Sequence, residues 1–138
     1  MTHPLAELFA AHALRLTEPR KIVFDVLKGA HEPLTVAEIT KRCKDTVDRA
    51  SVYRTLALFE QLGATKRVTI GWKYKIELGD TFTPHHHHLV CQKCHKVIAV
   101  NEGGLELFIN ELSERYHFTP TEHHFEVFGV CEECKDSQ

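Results

Sequence analysis

An α+β fold in two domains is what this sequence predicts: short helices closing on a hairpin, then a small α/β unit rich in metal-binding side chains. Three observations predict it. Apolar residues recur at helical spacing until about residue 62 and then give way to a strand pattern from Ala64 to Leu78. Turn formers Gly79, Asp80, Thr81 and Pro84 interrupt that pattern. Beyond the break lie four consecutive histidines and two Cys-x-x-Cys pairs. The apolar share of 43% in 138 residues is enough for a core and excludes wholesale disorder or a fibrous repeat. No apolar run approaches the ~20 residues of a membrane helix, and the start lacks a secretory leader, so a soluble cytoplasmic protein is expected.

The elements follow in order. Leu5 to Leu14 reads as a short helix. Thr17-Glu18-Pro19 offers an N-cap with proline in the first turn, and Ile22, Val23, Val26 and Leu27 form the apolar stripe of a second helix that Gly29 ends. Thr35-Val36-Ala37-Glu38 fits a capping box, with Val36, Ile39 and Cys43 as the buried stripe of a third, which makes Cys43 a core residue. A fourth starts at Asp48, turns Val52, Leu56, Phe59 and Leu62 inward and closes at Gly63. The hairpin over Ala64 to Leu78 turns near Gly71.

This order matches a winged helix-turn-helix, whose expected partner is double-stranded DNA. The fourth helix would lie in the major groove and present Arg49, Ser51, Tyr53, Arg54 and Thr55 to bases and phosphates. Lys66, Arg67, Lys73 and Lys75 would add phosphate contacts from the hairpin, and Arg15 and Arg20 could reach backbone or minor groove. Charge agrees: residues 1–78 carry 13 Lys/Arg against 9 Asp/Glu, whereas residues 79–138 carry 4 against 10, a +4 half and a −6 half.

In the second half, Cys91-Gln-Lys-Cys94 and Cys131-Glu-Glu-Cys134 are separated by 36 residues. Four thiolates so arranged most simply hold one tetrahedral structural zinc that staples two ends of a small domain. A redox pair lacks the active-site helix such chemistry needs, and a disulfide framework does not suit a cytosolic chain. His85 to His88 runs into the apolar Leu89-Val90-Cys91 and should be extended, so His85 and His87 point one way and His86 and His88 the other. One strand thereby offers two imidazoles to each of two metal sites, a reading preferred to a solvated histidine tract because the run abuts the cysteines. Glu106 sits at the edge of the buried stripe of an amphipathic helix built on Leu105, Phe108, Ile109, Leu112 and Tyr116. His123 or His124 heads a strand from Glu122 to Val130. His31 and Glu77 could complete a site bridging both domains, as a metal-controlled switch requires. Residue type and placement alone do not separate these partners from His95, His117 or Glu102. A zinc hydrolase built on the same cluster lacks H-E-x-x-H, and a metal-storage protein leaves the first domain unexplained.

With Ala50-Ser51-Val52-Tyr53-Arg54, HHHHLVCQKC over 85–94 and GVCEEC over 129–134, the chain resembles the ferric uptake regulator family of metal-dependent repressors over nearly its whole length. The resemblance implies a winged-helix domain over 1–78, a hinge over 79–84 and a metal-binding α/β dimerisation domain over 85–138. It places a regulatory metal (Fe2+ or Zn2+, with Mn2+ as a further candidate) on His31, Glu77, His86 and His88. It places a second metal site on His85, His87, Glu106 and His123, structural zinc on Cys91, Cys94, Cys131 and Cys134, base contacts on Tyr53 beside Arg54, and a minor-groove contact on Arg15. Three departures matter. His95 replaces a glycine common after the second cysteine, Ala99 stands where iron and peroxide sensors often have a further carboxylate, and His87 stands where many have aspartate. Richness in nitrogen favours iron or zinc over manganese and removes a ligand that peroxide sensors often use. Zinc sensors of the family often add a cysteine near the hinge, where this chain has Glu77 and Asp80.

Overall fold

The computed structural model describes residues 2–136, and the chain divides into two compact units, Met1–Pro84 and His85–Gln138. The first unit holds α1 (Ala6–Ala11), α2 (Glu18–Gly29), α3 (Val36–Arg42) and α4 (Arg49–Gln61), followed by β1 (Thr65–Ile70) and β2 (Lys73–Leu78). The first helix is shorter than the expected Leu5 to Leu14. Ala13 adopts a left-handed φ of 54°, and Leu14 N–H then turns back to Phe9 C=O at 2.9 Å. Thr17 caps α2 with extended backbone geometry and makes no side-chain cap bond.

The capping box of α3 is present in both directions: Thr35 Oγ1 accepts from Glu38 N–H at 3.1 Å, and Glu38 Oε1 accepts from Thr35 N–H at 3.1 Å. Asp48 caps α4 by accepting from Ser51 N–H. Phe9, Val23, Phe24, Ile39, Cys43, Val52 and Phe59 meet in the shared core, with Phe9 edge-on to Phe59. Each such side chain stabilises the fold by about 1.5 to 3 kcal/mol through burial.

The hairpin pairs Thr65 with Leu78 through Ile70 with Lys73, leaving a two-residue loop of Gly71 and Trp72. Gly71 has φ +63°, the conformation that the first position of a tight hairpin loop demands and that glycine adopts without strain. At the hairpin's other end Gly79 donates to Ala64 C=O at 2.8 Å, so close that a Cβ would lie 2.5 Å from Gly63 C=O. Leu34 meets Ile76 through an isolated antiparallel bridge beside this two-stranded sheet. Helices α3 and α4 with this hairpin make a winged helix-turn-helix.

The second unit holds β3 (His87–Cys91), β4 (Val97–Val100), α5 (Gly103–Arg115), β5 (Glu126–Gly129) and α6 (Glu132–Lys135). Its sheet has the order β4-β3-β5, with β4 antiparallel and β5 parallel to the central strand. The expected strand from Glu122 to Val130 forms over Glu126–Gly129 alone, where the ladder to β3 exists; residues 122–125 approach it as irregular chain. The stripe on α5 corrects a further expectation. Of its five residues Phe108, Leu112 and Tyr116 are exposed while Leu105 and Ile109 are half-buried; Leu107 beside the stripe is exposed too, and so are Leu89, Ile98 and Val127 on the sheet. A single copy of this unit thus leaves its apolar surface uncovered. No helix among the described residues is long and apolar enough to cross a membrane.

Candidate metal centres and nucleic-acid interface

Strand β3 ends at Cys91, and the next residues turn so tightly that Cys94 N–H points at Cys91 Sγ, 3.5 Å away. Strand β5 runs parallel to it and ends two residues before Cys131, whose N–H also points at Cys91 Sγ, at 3.4 Å. Parallel pairing therefore delivers both Cys-x-x-Cys pairs to the same end of the sheet, and the four sulfurs lie within 4.8 Å of one another. Four ligands about 2.3 Å from one zinc at tetrahedral angles stand about 3.8 Å apart. The Cys94 and Cys131 sulfurs are 3.7 Å apart. The two backbone N–H groups, from Cys94 and Cys131, hold the Cys91 thiol down to about 6, whereas Cys134 is pushed up to about 12, first by its bond with Cys131. Four thiolates packed together need a cation to ionise as a set, and an all-sulfur tetrahedron suits zinc.

The histidine run alternates as extended chain should. The rings of His85 and His87 are 4.8 Å apart and those of His86 and His88 4.9 Å, each pair edge to face. His87 Nε2 lies 2.6 Å from Glu106 Oε1, brought over by the first turn of α5. His123 Nε2 lies 2.9 Å from Glu106 Oε2 and 3.0 Å from His85 Nε2. These four side chains, three imidazoles and a carboxylate, each bring a ligand atom within 4.8 Å of the others, a set that could hold a metal ion. His87 and His123 lower the Glu106 carboxyl below its ordinary range by hydrogen bonding, so it is ionised and available as a ligand. Of the two candidates at the head of β5, His123 joins the cluster, while His124 is exposed and meets Glu122 at 3.8 Å.

His86 and His88 present the opposite face of the same strand. His88 is buried, stands opposite Ala99 in the β4 ladder and opposite Glu126 in the β5 ladder, and its Nδ1 is 3.7 Å from Glu126 Oε1. In the first unit, His31 is exposed in the loop between α2 and α3, and Glu77 on β2 lies 3.8 Å from Lys66 Nζ. His95, after the second cysteine, has φ +65°, a conformation that glycine adopts without strain.

The expected DNA-facing residues are mostly exposed at the start of α4. Arg49 and Arg54 point outward, the Arg49 guanidinium lies 5.9 Å from the Tyr53 ring centroid, and Ser51 donates to Asp48 Oδ1 at 2.6 Å. Thr55 is a correction. It is 5% exposed because it shares the inward face with Val52, Leu56 and Phe59, and it cannot reach DNA. Arg20 donates to Arg15 C=O and covers the Phe9 ring at 5.5 Å, while Arg15 is exposed. On the hairpin, Lys66 pairs with Asp80 at 2.7 Å and Arg67 with Glu60 at 2.8 Å, so both are engaged within the unit. A groove of about 510 Å³ between α3 and α4 is lined by Lys41, Lys44, Arg49 and Tyr53. Both lysines belong to the cationic segment Lys41-Arg42-Cys43-Lys44, a run of charge visible in the sequence that also marks this side of the unit.

A model of the ferric uptake regulator family matches residues 11–128. The chain belongs to this family. Among curated relatives, the peroxide-responsive repressor PerR of Staphylococcus epidermidis is 28% identical, with 97% of this chain and 92% of that protein aligned. Among solved structures, the ferric uptake regulator Fur of Helicobacter pylori, described as having three functional metal binding sites, superposes with a TM-score of 0.81 at 25% identity, covering 97% of this chain and 91% of that one. Fur of Vibrio cholerae gives a TM-score of 0.74 at 27% identity over 91% and 98%. The ferric uptake regulator family consists of metal-responsive transcriptional regulators, and the donor sets present here fit that chemistry.

Proposed function

We propose that this protein is a metal-responsive transcriptional repressor that binds an inverted-repeat DNA operator as a metal-loaded homodimer and controls genes of iron or zinc uptake. One observation carries the reading: the extended run His85–His88, which enters β3 at His87, offers two histidine pairs of opposite facing, and the strand ends at a four-cysteine centre, in a chain whose other unit is a winged helix with arginines at the start of α4. Cys91, Cys94, Cys131 and Cys134 would hold structural zinc. His85, His87, Glu106 and His123 would hold a second metal, and His31, Glu77, His86 and His88 the regulatory Fe2+ or Zn2+, with Mn2+ a weaker fit. Drawing the regulatory ligands from both sides of the 79–84 hinge lets occupancy favour one orientation of the DNA-binding units over others, which is a population shift.

A peroxide-sensing role is the second reading, favoured by the names of the curated relatives. Against it stands Ala99, which puts a methyl group opposite His88 where such sensors often carry a carboxylate. On the DNA side the contacts would come from Arg15, Arg20, Arg49, Ser51, Tyr53 and Arg54. The test is fluorescence anisotropy of labelled DNA from upstream of the protein's own gene, titrated with zinc-loaded protein under buffered free iron, zinc or manganese. Tightening with one metal supports the reading; affinity unchanged by every metal overturns it.

A further inference from the structure

Among the described residues of the first unit, two large hydrophobic side chains are exposed, Tyr53 at 48% and Trp72 at 88%. The second unit exposes many apolar residues on both its sheet and its helix, whereas these two are single aromatics on different elements, one on α4 and one at the hairpin tip. Both carry a cation on the ring. Arg49 sits over Tyr53 at 5.9 Å and Lys73 over Trp72 at 5.0 Å. The tip is also held in place: Gly71 fixes a two-residue loop, Ile70 pairs with Lys73 beneath it, and the hairpin is tied to the body through the Leu34–Ile76 bridge.

An indole so exposed contributes nothing to the core, and its setting suits a phosphodiester chain better than an apolar partner. The ammonium of Lys73 can meet a phosphate oxygen while the indole face packs on the adjacent deoxyribose and the edge of the groove. Lys66 and Arg67 are paired within the unit and Lys75 lies lower on the strand, opposite Val68, so Lys73 is the hairpin cation placed at the tip itself. We infer that Trp72 and Lys73 form a second aromatic-cation anchor for double-stranded DNA, gripping backbone and minor groove beside the site that Tyr53 and Arg49 engage. This rests on the DNA-binding reading above.

The chain has one tryptophan, so its intrinsic emission reports on this position alone. Zinc- and iron-loaded full-length protein is titrated with a fluorescein-labelled duplex from upstream of its own gene, reading DNA anisotropy and, with unlabelled duplex, Trp72 emission and its quenching by acrylamide. The inference expects emission to change and quenching to fall at the DNA concentrations that saturate anisotropy. It expects Trp72→Ala to weaken binding about tenfold, Trp72→Phe to recover most of that loss, and Lys73→Gln to reduce the salt dependence by about one phosphate contact. Because Trp72 lies outside the core, Trp72→Ala should keep the wild-type melting temperature and metal content. Normal anisotropy with unchanged emission, or wild-type affinity in Trp72→Ala, overturns the inference and leaves the DNA-binding reading standing. Absence of any anisotropy change in the wild type overturns both.

Discussion

His87 Nε2 and Glu106 Oε1 stand 2.6 Å apart, joining a buried residue of the central strand to the first turn of α5. The same carboxylate meets His123 and His85, so it is the common neighbour of three imidazoles. Glu106→Ala should therefore lose one bound metal per chain and keep the four-cysteine zinc. Metal content measured after desalting checks this, and unchanged stoichiometry would remove Glu106 from the ligand set.

For the opposite pair, His86→Ala with His88→Ala should abolish the metal-stimulated part of DNA binding. Retention of the cysteine zinc and a cooperative melt would show that the fold is intact. A double variant that still responds normally to metal would mean that the regulatory ligands lie elsewhere.

Replacing Cys91 with serine attacks the staple itself. Structural zinc contributes about 10 to 16 kcal/mol in small domains, as much as the whole stability of a typical domain, about 5 to 15 kcal/mol. The variant should lose zinc and the circular-dichroism signal of the second unit. A wild-type spectrum without zinc would refute the structural role.

The α3 capping box predicts a pH dependence. Burial raises the Glu38 carboxyl, but the Thr35 N–H and hydroxyl outweigh it, and the net shift is below the ordinary 4.5. A depressed folded value means stability that is fully present above 4.5 and is lost as pH falls below it through the folded value. Denaturant unfolding should show Glu38→Gln with a flatter acid limb than wild type, and Thr35→Ala should cost about 1 kcal/mol at neutral pH. Parallel acid limbs for wild type and Glu38→Gln would count against the linkage.

The uncovered face of the second unit predicts self-association. Phe108 on α5 is exposed in a single copy, beside Leu107 and Leu112. Phe108→Glu should shift sedimentation from dimer to monomer at micromolar concentration, since a buried unpaired charge costs several kcal/mol at an interface. A dimer of unchanged affinity would place the contact on another surface.

What could be read in advance was local. The Thr35 capping box, the Gly71 turn and the alternation of the histidines each follow from a few neighbouring residues, and each is present. Long-range consequences were harder. Val97-Ile98-Ala99-Val100 has no alternation that announces an edge strand, and parallel pairing of β3 with β5 joins segments nearly forty residues apart. Glu106 was legible as a candidate because a carboxylate sits at the edge of an apolar stripe, but the choice of His123 over His124 needed the irregular approach to β5. Thr55 falls within the N-terminal segment of α4 expected to face DNA, yet its position three after Val52 and four before Phe59 puts it on the buried stripe. The stripe on α5 was legible as a pattern, yet pattern does not say whether its cover comes from the same chain.

The alternating strand that links the histidines to Cys91 has a consequence of parity. Side chains along β3 from His87 to Cys91 take their direction from an odd or even count, His85 and His86 pair with rings of the same parity, and the three proposed metal centres would be set by that one count. Inserting or deleting a single residue between His88 and Cys91 would exchange the two histidine pairs relative to the cysteine anchor, aiming each at the other's ligands. Two residues would restore the phase. The histidines would nevertheless move about 6.6 Å along the strand from Glu106 and His123, so a designer relocating these sites would have to keep the count even and carry the partners along with it.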